Sequence, residues 1–239
     1  EWITDDKKPK KHLHFLMRDN PILGDSEIAR AESFFAGVFY QRFILGEWVL
    51  SEGLVYDFGE DNIVDDVPSN GEYYISIDYG TMNPFSAGLW CVLGDKAVRI
   101  KEYYYNGREK AVQRTDEDYC DSVEELAKGY NIRQVIVDPS AASFIAALRK
   151  RGFAIRKANN DVLDGIRRTA VYLKNGNIKI HRSCVDSIAE FGLYRWDDKA
   201  TADTVIKEND HAMDDIRYFC NTIMKNKVRK ENNYTPIFM

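Results

Sequence analysis

The stretch YYISIDYGTMNPFSAGLW, residues 73–90, constrains the fold more than any other. It reads as a strand of β-branched and aromatic residues over 73–79, a glycine turn, and a second strand that opens at Phe85. Asp78 stands at the end of the first strand. A buried, unpaired carboxylate is costly, so a metal ion, a basic side chain or a set of N–H donors must share its charge. The rest of the chain has to bring that partner to the strand end.

Downstream the pattern is regular. Residues 85–93 and 97–105 predict two further strands joined by a hairpin turn at Gly94-Asp95. Thr115 caps a predicted helix that reaches about residue 128 and stops at Gly129. Residues 132–138, with the apolar run Val135-Ile136-Val137, read as a buried parallel strand, and Pro139 ends it. A helix over 141–150 stops at Gly152, and 153–156 supplies a fifth strand. Helices follow over 162–173 and 184–194, with NIKIH extended between them. A last helix starts at Asn209-Asp210 and runs to about Met224. Three strands in meander, then helix, strand, helix, strand, predict a mixed α/β fold. The strand after a crossover helix returns parallel to an earlier one. Residues 132–138 are therefore expected beside 73–79, which brings Asp78 and Asp138 to neighbouring strand ends about 5 Å apart.

Residues 1–70 differ in character. Asp25-Ser26 and the apolar spacing Ile28, Ala31, Phe34, Phe35 predict a capped helix to about Ala36. FYQRFILGEWVL is open between helix and strand. Pro68, Ser69, Asn70 and Gly71 punctuate a boundary. The expected division is a linker segment 1–70, an α/β domain 71–230 and a tail 231–239. The charged start carries no signal-peptide pattern, no apolar run is long enough to span a bilayer, and a first residue of Glu is what a fragment of a longer chain shows. Cys91, Cys120, Cys184 and Cys220 are far apart with no C-x-x-C pair, which points to neither a zinc site nor a disulfide framework. Each is expected to pack as a small hydrophobe, in a reducing, cytoplasmic setting. His12 and His14 lack a third ligand nearby and read as structural.

A third acidic cluster, NDHAMDDIRYFC, opens the last helix. Asp210 and Asp214 are four apart and project within about 40° of each other, and His211 and Asp214 are three apart. Asp215 points about 100° away from Asp214. Met213, Ile216, Cys220 and Ile223 form the apolar stripe that seats the helix on the sheet. Magnesium and manganese take oxygen ligands and few protein carboxylates. Two such ions about 4 Å apart activate a water and stabilise the leaving oxygen of a phosphodiester. Two strand-end aspartates and a helix aspartate would cradle them. Each residue also has a plainer structural reading. Asp78 could accept N–H bonds from Gly80-Thr81, Asp138 could shape its loop or cap the next helix, and Asp210 could be a helix N-cap. His211 could be a structural histidine, and Asp215 reads as a solvated helix-face charge.

The net charge of −5 does not advertise a nucleic-acid binder. The average hides Arg149, Lys150, Arg151, Arg156 and Lys157, then Arg167 and Arg168, and a basic stretch over 225–230. Such runs are either a solvated face or a steering patch for a phosphate backbone.

Together SIDYGTMNPFSAGLW, VIVDPSAASFIAALRKRG, DGIRRTAVYLKNGNIKIHRSC…EFGLYRWD and KENDHAMDDIRYF resemble the nuclease domain of phage and prophage terminase large subunits, over residues 73–219. Residues 12–56 resemble the segment that joins the ATPase motor to that nuclease. The resemblance implies an RNase H-like fold, with a mixed five-stranded sheet flanked by helices. It implies an endonuclease that cuts concatemeric double-stranded DNA with Mg²⁺ or Mn²⁺, two ions in all. By motif, Asp78, Asp138 and Asp214 take the ligand positions, and His211 stands one turn before Asp214 as a ligand or an orienter. Asp215 occupies a place where the family pattern commonly has a small residue. The implied partners are the ATPase part of the same protein, the small terminase subunit and the procapsid portal, in the cytoplasm of the bacterial host and with no membrane. No G-x-x-x-x-G-K-[ST] loop occurs, so motor-type ATP hydrolysis is not expected of this chain. The alternatives are an actin-like or sugar-kinase-type nucleotide binder, because IDYGT resembles that group's phosphate loop, and a non-catalytic docking module.

Overall fold

The computed structural model describes residues 13–81 and 83–227. His12, the tail 231–239 and the last part of the basic stretch 225–230 lie outside them. The chain divides into two compact units between Leu50 and Ser51.

In the first unit, α1 spans Asp25–Ser33 and α2 spans Gly37–Phe43. The N-cap of α1 is Gly24, without a side-chain cap, so Asp25 sits inside the helix. There Asp25 and Glu27 complement the positive end of the helix dipole. The helix stops at Ser33, short of the expected Ala36. The first five residues of the ambiguous stretch, 39–43, lie in α2, and Arg42 Nε bonds the Val49 carbonyl at 2.9 Å. The His14 ring contacts the Leu45 carbonyl at 2.7 Å, a structural role.

The second unit is built on one sheet. Its elements, in chain order, begin with β1 (Ile63–Val64), β2 (Glu72–Asp78), β3 (Phe85–Leu93), β4 (Lys96–Tyr105), α3 (Gly107–Lys110) and α4 (Asp116–Ala127). They continue with β5 (Ile132–Val137), α5 (Ala142–Lys150), β6 (Ile155–Lys157) and α6 (Val162–Lys174). The last are β7 (Ile178–His181), α7 (Val185–Phe191) and α8 (His211–Phe219), which runs on as a π-helical turn, Cys220–Met224. The strand order is β1-β7-β4-β3-β2-β5-β6. β2, β3 and β4 form the antiparallel meander, and β5 lies parallel to β2. The sheet has seven strands, not five. NIKIH joins it as β7, parallel to β4, and β1 adds beyond β7. The unit begins at Ser51, ahead of the punctuation at 68–71, because residues 51–70 are stitched to it: Leu54 bridges Arg195, and β1 pairs with β7.

Turn chemistry fixes the expected ends. Thr115 and Asp118 form a reciprocal capping box on α4. Gly94 takes φ 62° in the hairpin, where other residues would be strained. The four cysteines are free and buried. No helix among the described residues is long and apolar enough to cross a membrane.

Alternation along the strands sorts the two faces. Ile75 and Ile77 of β2, with Phe85, Ala87, Leu89 and Cys91 of β3, enter the core that α4 and α5 cover. Ser76, Ser86, Gly88 and Trp90 therefore face the other side, where α8 packs, and Trp90 stacks on Phe219 at 4.1 Å. Asp78 is two residues beyond Ser76 and so belongs to the α8 side.

Candidate active site

The expectation for the strand ends holds. Ile77 pairs with Val137 in the parallel β2–β5 ladder, so Asp78 and Asp138 are the next residues out on adjacent strands. Asp78, Asp210, His211 and Asp214 line an open cleft of about 550 Å³. Its other walls are the β2–β3 turn (Asn83, Pro84), the end of β4 (Tyr104), the start of α3 (Asn106, Arg108) and the loop before α8 (Lys207). Asp138 stands beside this cleft, one strand over.

Each carboxylate is held by protein donors. Asp78 Oδ2 lies 2.8 Å from His211 Nδ1, and Oδ1 accepts from the Tyr218 hydroxyl at 3.5 Å. The Gly80-Thr81 amides are not its partners. Burial pushes the Asp78 carboxyl up, His211 pulls it back, and repulsion from Asp214 and Asp215 raises it again, to about 6. Burial disfavours charge on His211, but its bond to Asp78 and the fields of Asp210 and Glu190 outweigh that and raise it above the usual histidine value. Asp138 accepts from the Ser140 amide at 2.7 Å and from Asn160 Nδ2 at 3.1 Å. Burial works to raise Asp138, but these donors and the Tyr218 hydroxyl prevail and hold it below the ordinary range. Tyr218 thus bonds Asp78 and also favours the charged form of Asp138. Asp214 Oδ1 accepts from Arg217 Nη2 at 2.7 Å, and Lys207 Nζ stands 3.6 Å from its Oδ2 and 3.4 Å from Asp210 Oδ2.

Asp215 corrects the reading of a solvated charge. It is fully buried, facing the sheet rather than the cleft. Arg99 of β4 grips it with Nη1 at 2.5 Å and Nη2 at 3.0 Å, Ser76 donates at 2.7 Å, and Ser86 donates to its other oxygen. Gly88 of β3 leaves room for the guanidinium, since a Cβ there would stand 1.8 Å from Arg99 Nη1. Burial opposes the charge on Arg99, and Asp215 and Glu102 more than restore it.

Asp210 occupies the N-cap position of α8, but its side chain does not cap. Glu190 of α7 does: it accepts from the amides of Ala212 at 2.7 Å and Met213 at 3.3 Å, and from the Tyr104 hydroxyl at 2.6 Å. Burial pushes Glu190 up to about 7 against those donors. Glu102 of β4 likewise accepts the Asp186 and Ser187 amides at the start of α7. One carboxylate from the sheet seats α7, and one from α7 seats α8.

The basic candidates scatter. β5 and β6 are parallel, so α5 runs back along the sheet and carries Arg149 and Lys150 away from Asp138. Arg151 bonds Glu117, Asp121 and Glu124 of α4, which balances its charge and withdraws it from the exposed set. Arg156 and Lys157 lie in β6, where Lys157 pairs with Val137 next to Asp138. Arg167 and Arg168 lie on α6, and Arg168 pairs with Asp164 at 3.0 Å.

For a hard divalent cation the donor set is right in kind: carboxylate oxygens on strand ends and a helix, with Asp78 and Asp214 repelling each other. Among the described residues no three of His, Cys, Asp and Glu converge on one point. The carboxylates share one end of the sheet, and each is turned to a donor of the protein.

A mixed sheet with this order, bearing aspartates on adjacent parallel strand ends beneath a helix, defines an RNase H-like fold of the nuclease type. The model of the terminase RNaseH-like domain matches residues 75–222, and the chain belongs to that family. It is 43% identical to the large terminase of the thermophilic bacteriophage D6E, solved in complex with ADP, over 94% of this chain and 58% of that one, with a TM-score of 0.83. It is 23% identical over 233 residues to the terminase large subunit of Escherichia phage T5, covering 90% of this chain and 52% of that protein. The large terminase nuclease of thermophilic phage G20c, solved with bound magnesium, shares the fold at 14% identity and a TM-score of 0.50, over 72% of this chain and 87% of that one. The chain spans little more than half the length of the first two relatives.

Proposed function

We propose that this chain is the cutting part of a DNA-packaging terminase, a Mg²⁺- or Mn²⁺-dependent endonuclease acting on double-stranded DNA. The observation that carries the reading is the pairing of β2 with β5, which makes Asp78 and Asp138 the next residues out on adjacent parallel strands, while Asp78 shares its cleft with Asp214 of α8. The magnesium bound by the G20c nuclease supports the choice of cation.

In this reading Asp78, Asp138 and Asp214 hold one or two divalent ions. When bound, the cation neutralises charge on the scissile phosphate and acidifies a water. Asp78 and Asp138 have rigid strands behind them and need little reorganisation. His211 orients Asp78 and holds a proton on the nitrogen facing it. Tyr218 supports the other oxygen of Asp78. Arg108 and Lys207 line the cleft where phosphates enter, and Lys157 is the nearest of the sequence-derived basic candidates. Phosphate contacts carry little sequence information, so cutting is expected to be nearly sequence-independent. The ATPase part of the same protein, the small subunit and the procapsid portal are proposed as partners, in the host cytoplasm.

The test is nicking of supercoiled plasmid with Mn²⁺ or Mg²⁺. Wild-type chain should nick only with the metal present. Asp78→Asn should abolish nicking and leave the thermal midpoint nearly unchanged. Cutting retained by Asp78→Asn would remove the ligand role.

A further inference from the structure

Arg217 lies on α8 one turn beyond Asp214 and is 2% exposed. Its guanidinium serves two elements at once. Nη2 donates to Asp214 Oδ1 at 2.7 Å, while Nη1 donates to the carbonyls of Asn160 at 3.0 Å and Asp161 at 3.3 Å. Those carbonyls belong to the loop that follows β6. The same loop sends Asn160 Nδ2 to Asp138 Oδ2 at 3.1 Å. A continuous bonded path therefore runs from Asp214 through Arg217 and the 160–161 backbone to Asp138. The π-helical turn holds the loop from a second point, where Thr222 Oγ1 accepts the Asn159 amide at 2.9 Å.

The path depends on a notch in α6. A Cβ on Gly165 would stand 2.4 Å from Arg217 Cγ and 2.8 Å from Cδ. The arginine stem crosses α6 only because that position has no side chain. A lysine has the charge but not the fork: one ammonium cannot meet a carboxylate on one edge and two carbonyls on the other.

We propose that Arg217 is a positioning residue that sets the separation of Asp214 and Asp138 by clamping α8 to the loop after β6. This rests on the metal-holding reading of the site. Groups that orient metal ligands typically change metal affinity by roughly 10- to 100-fold when altered.

The experiment has two arms on the full chain. In the first, hydrogen exchange is followed without metal. Arg217→Lys and Gly165→Ala should both speed exchange over residues 158–165; unchanged exchange overturns the clamp. In the second, Mn²⁺ affinity is measured by calorimetry. Arg217→Lys should weaken it at least about tenfold, and Gly165→Ala should act in the same direction. Because Asn160 is the next link, Asn160→Ala combined with Arg217→Lys should cost no more than the larger single change. Additive losses overturn the path, and Mn²⁺ affinity equal to wild type overturns the role alone. A wild-type chain that binds no Mn²⁺ overturns the metal reading and this role with it.

Discussion

Asp214 and Asp215 are neighbours in the chain with opposite surroundings: Asp214 lines the cleft, while Asp215 is sealed beneath it against Arg99. The helical step of about 100° separates them. Removing one partner of a buried ion pair leaves the other charge uncompensated and costs about 3–5 kcal/mol. Asp215→Asn is therefore expected to lower the thermal midpoint by about 10 °C, with nicking lost only as far as folding is lost. Asp214→Asn should abolish nicking at a smaller stability cost, because Arg217 keeps two carbonyl partners. Equal melting losses in the two variants would contradict this division.

Glu190 seats α8, and its pH behaviour follows from burial. Its folded-state value, about 7, lies above its ordinary 4.5. Protonation thus favours the folded state: that stability is complete below about pH 4.5 and is lost as the pH rises through 7. The wild-type melting temperature should fall between pH 5 and 8 more steeply than that of Glu190→Gln, which cannot ionise. Parallel melting curves for the two proteins would show that Glu190 does not titrate in that window.

Asp78 makes metal affinity pH-dependent. A carboxylate binds a cation only when ionised, and this one holds its proton up to about pH 6. The dissociation constant for Mn²⁺ should fall as the pH rises through 6, by up to about tenfold per unit below that point. An affinity that is flat from pH 5 to 7 would exclude Asp78 as a ligand.

Lys207 places an ammonium against Asp210 and Asp214, in competition with any cation. Its side chain is 62% exposed, so the pair is weak, about 0.2–1 kcal/mol. Lys207→Ala should tighten Mn²⁺ binding by about two- to fivefold. Weaker binding in the variant would assign Lys207 a supporting rather than a competing place.

The strands and helices from residue 72 onward were legible because their signals are local: alternation, Thr115 as a cap, and glycines at 94, 129 and 152. The pairing of 132–138 with 73–79 followed from the handed crossover rule, and it placed Asp78 beside Asp138. β1 was missed because two residues carry no periodicity. β7 read as extended, but its place beside β4 is a tertiary choice. Arg99 lies in KAVRIKEYYY, an alternation that assigns charges to solvent, and only the fold reveals Gly88 opening room for it. Glu190 caps a helix 22 positions later in the chain, beyond the reach of any local capping pattern. Tyr218 and Arg217 stood in the quoted DHAMDDIRY motif, which gave no hint that one bonds Asp78 and the other spans to the 160–161 loop.

The most direct measurement is a Mn²⁺ soak of crystals of this chain, read by anomalous diffraction. The account predicts at least one peak within coordination distance of Asp78, with Asp138 or Asp214 as its second ligand. Peaks confined to other carboxylates, or none at a concentration that supports nicking, would contradict it.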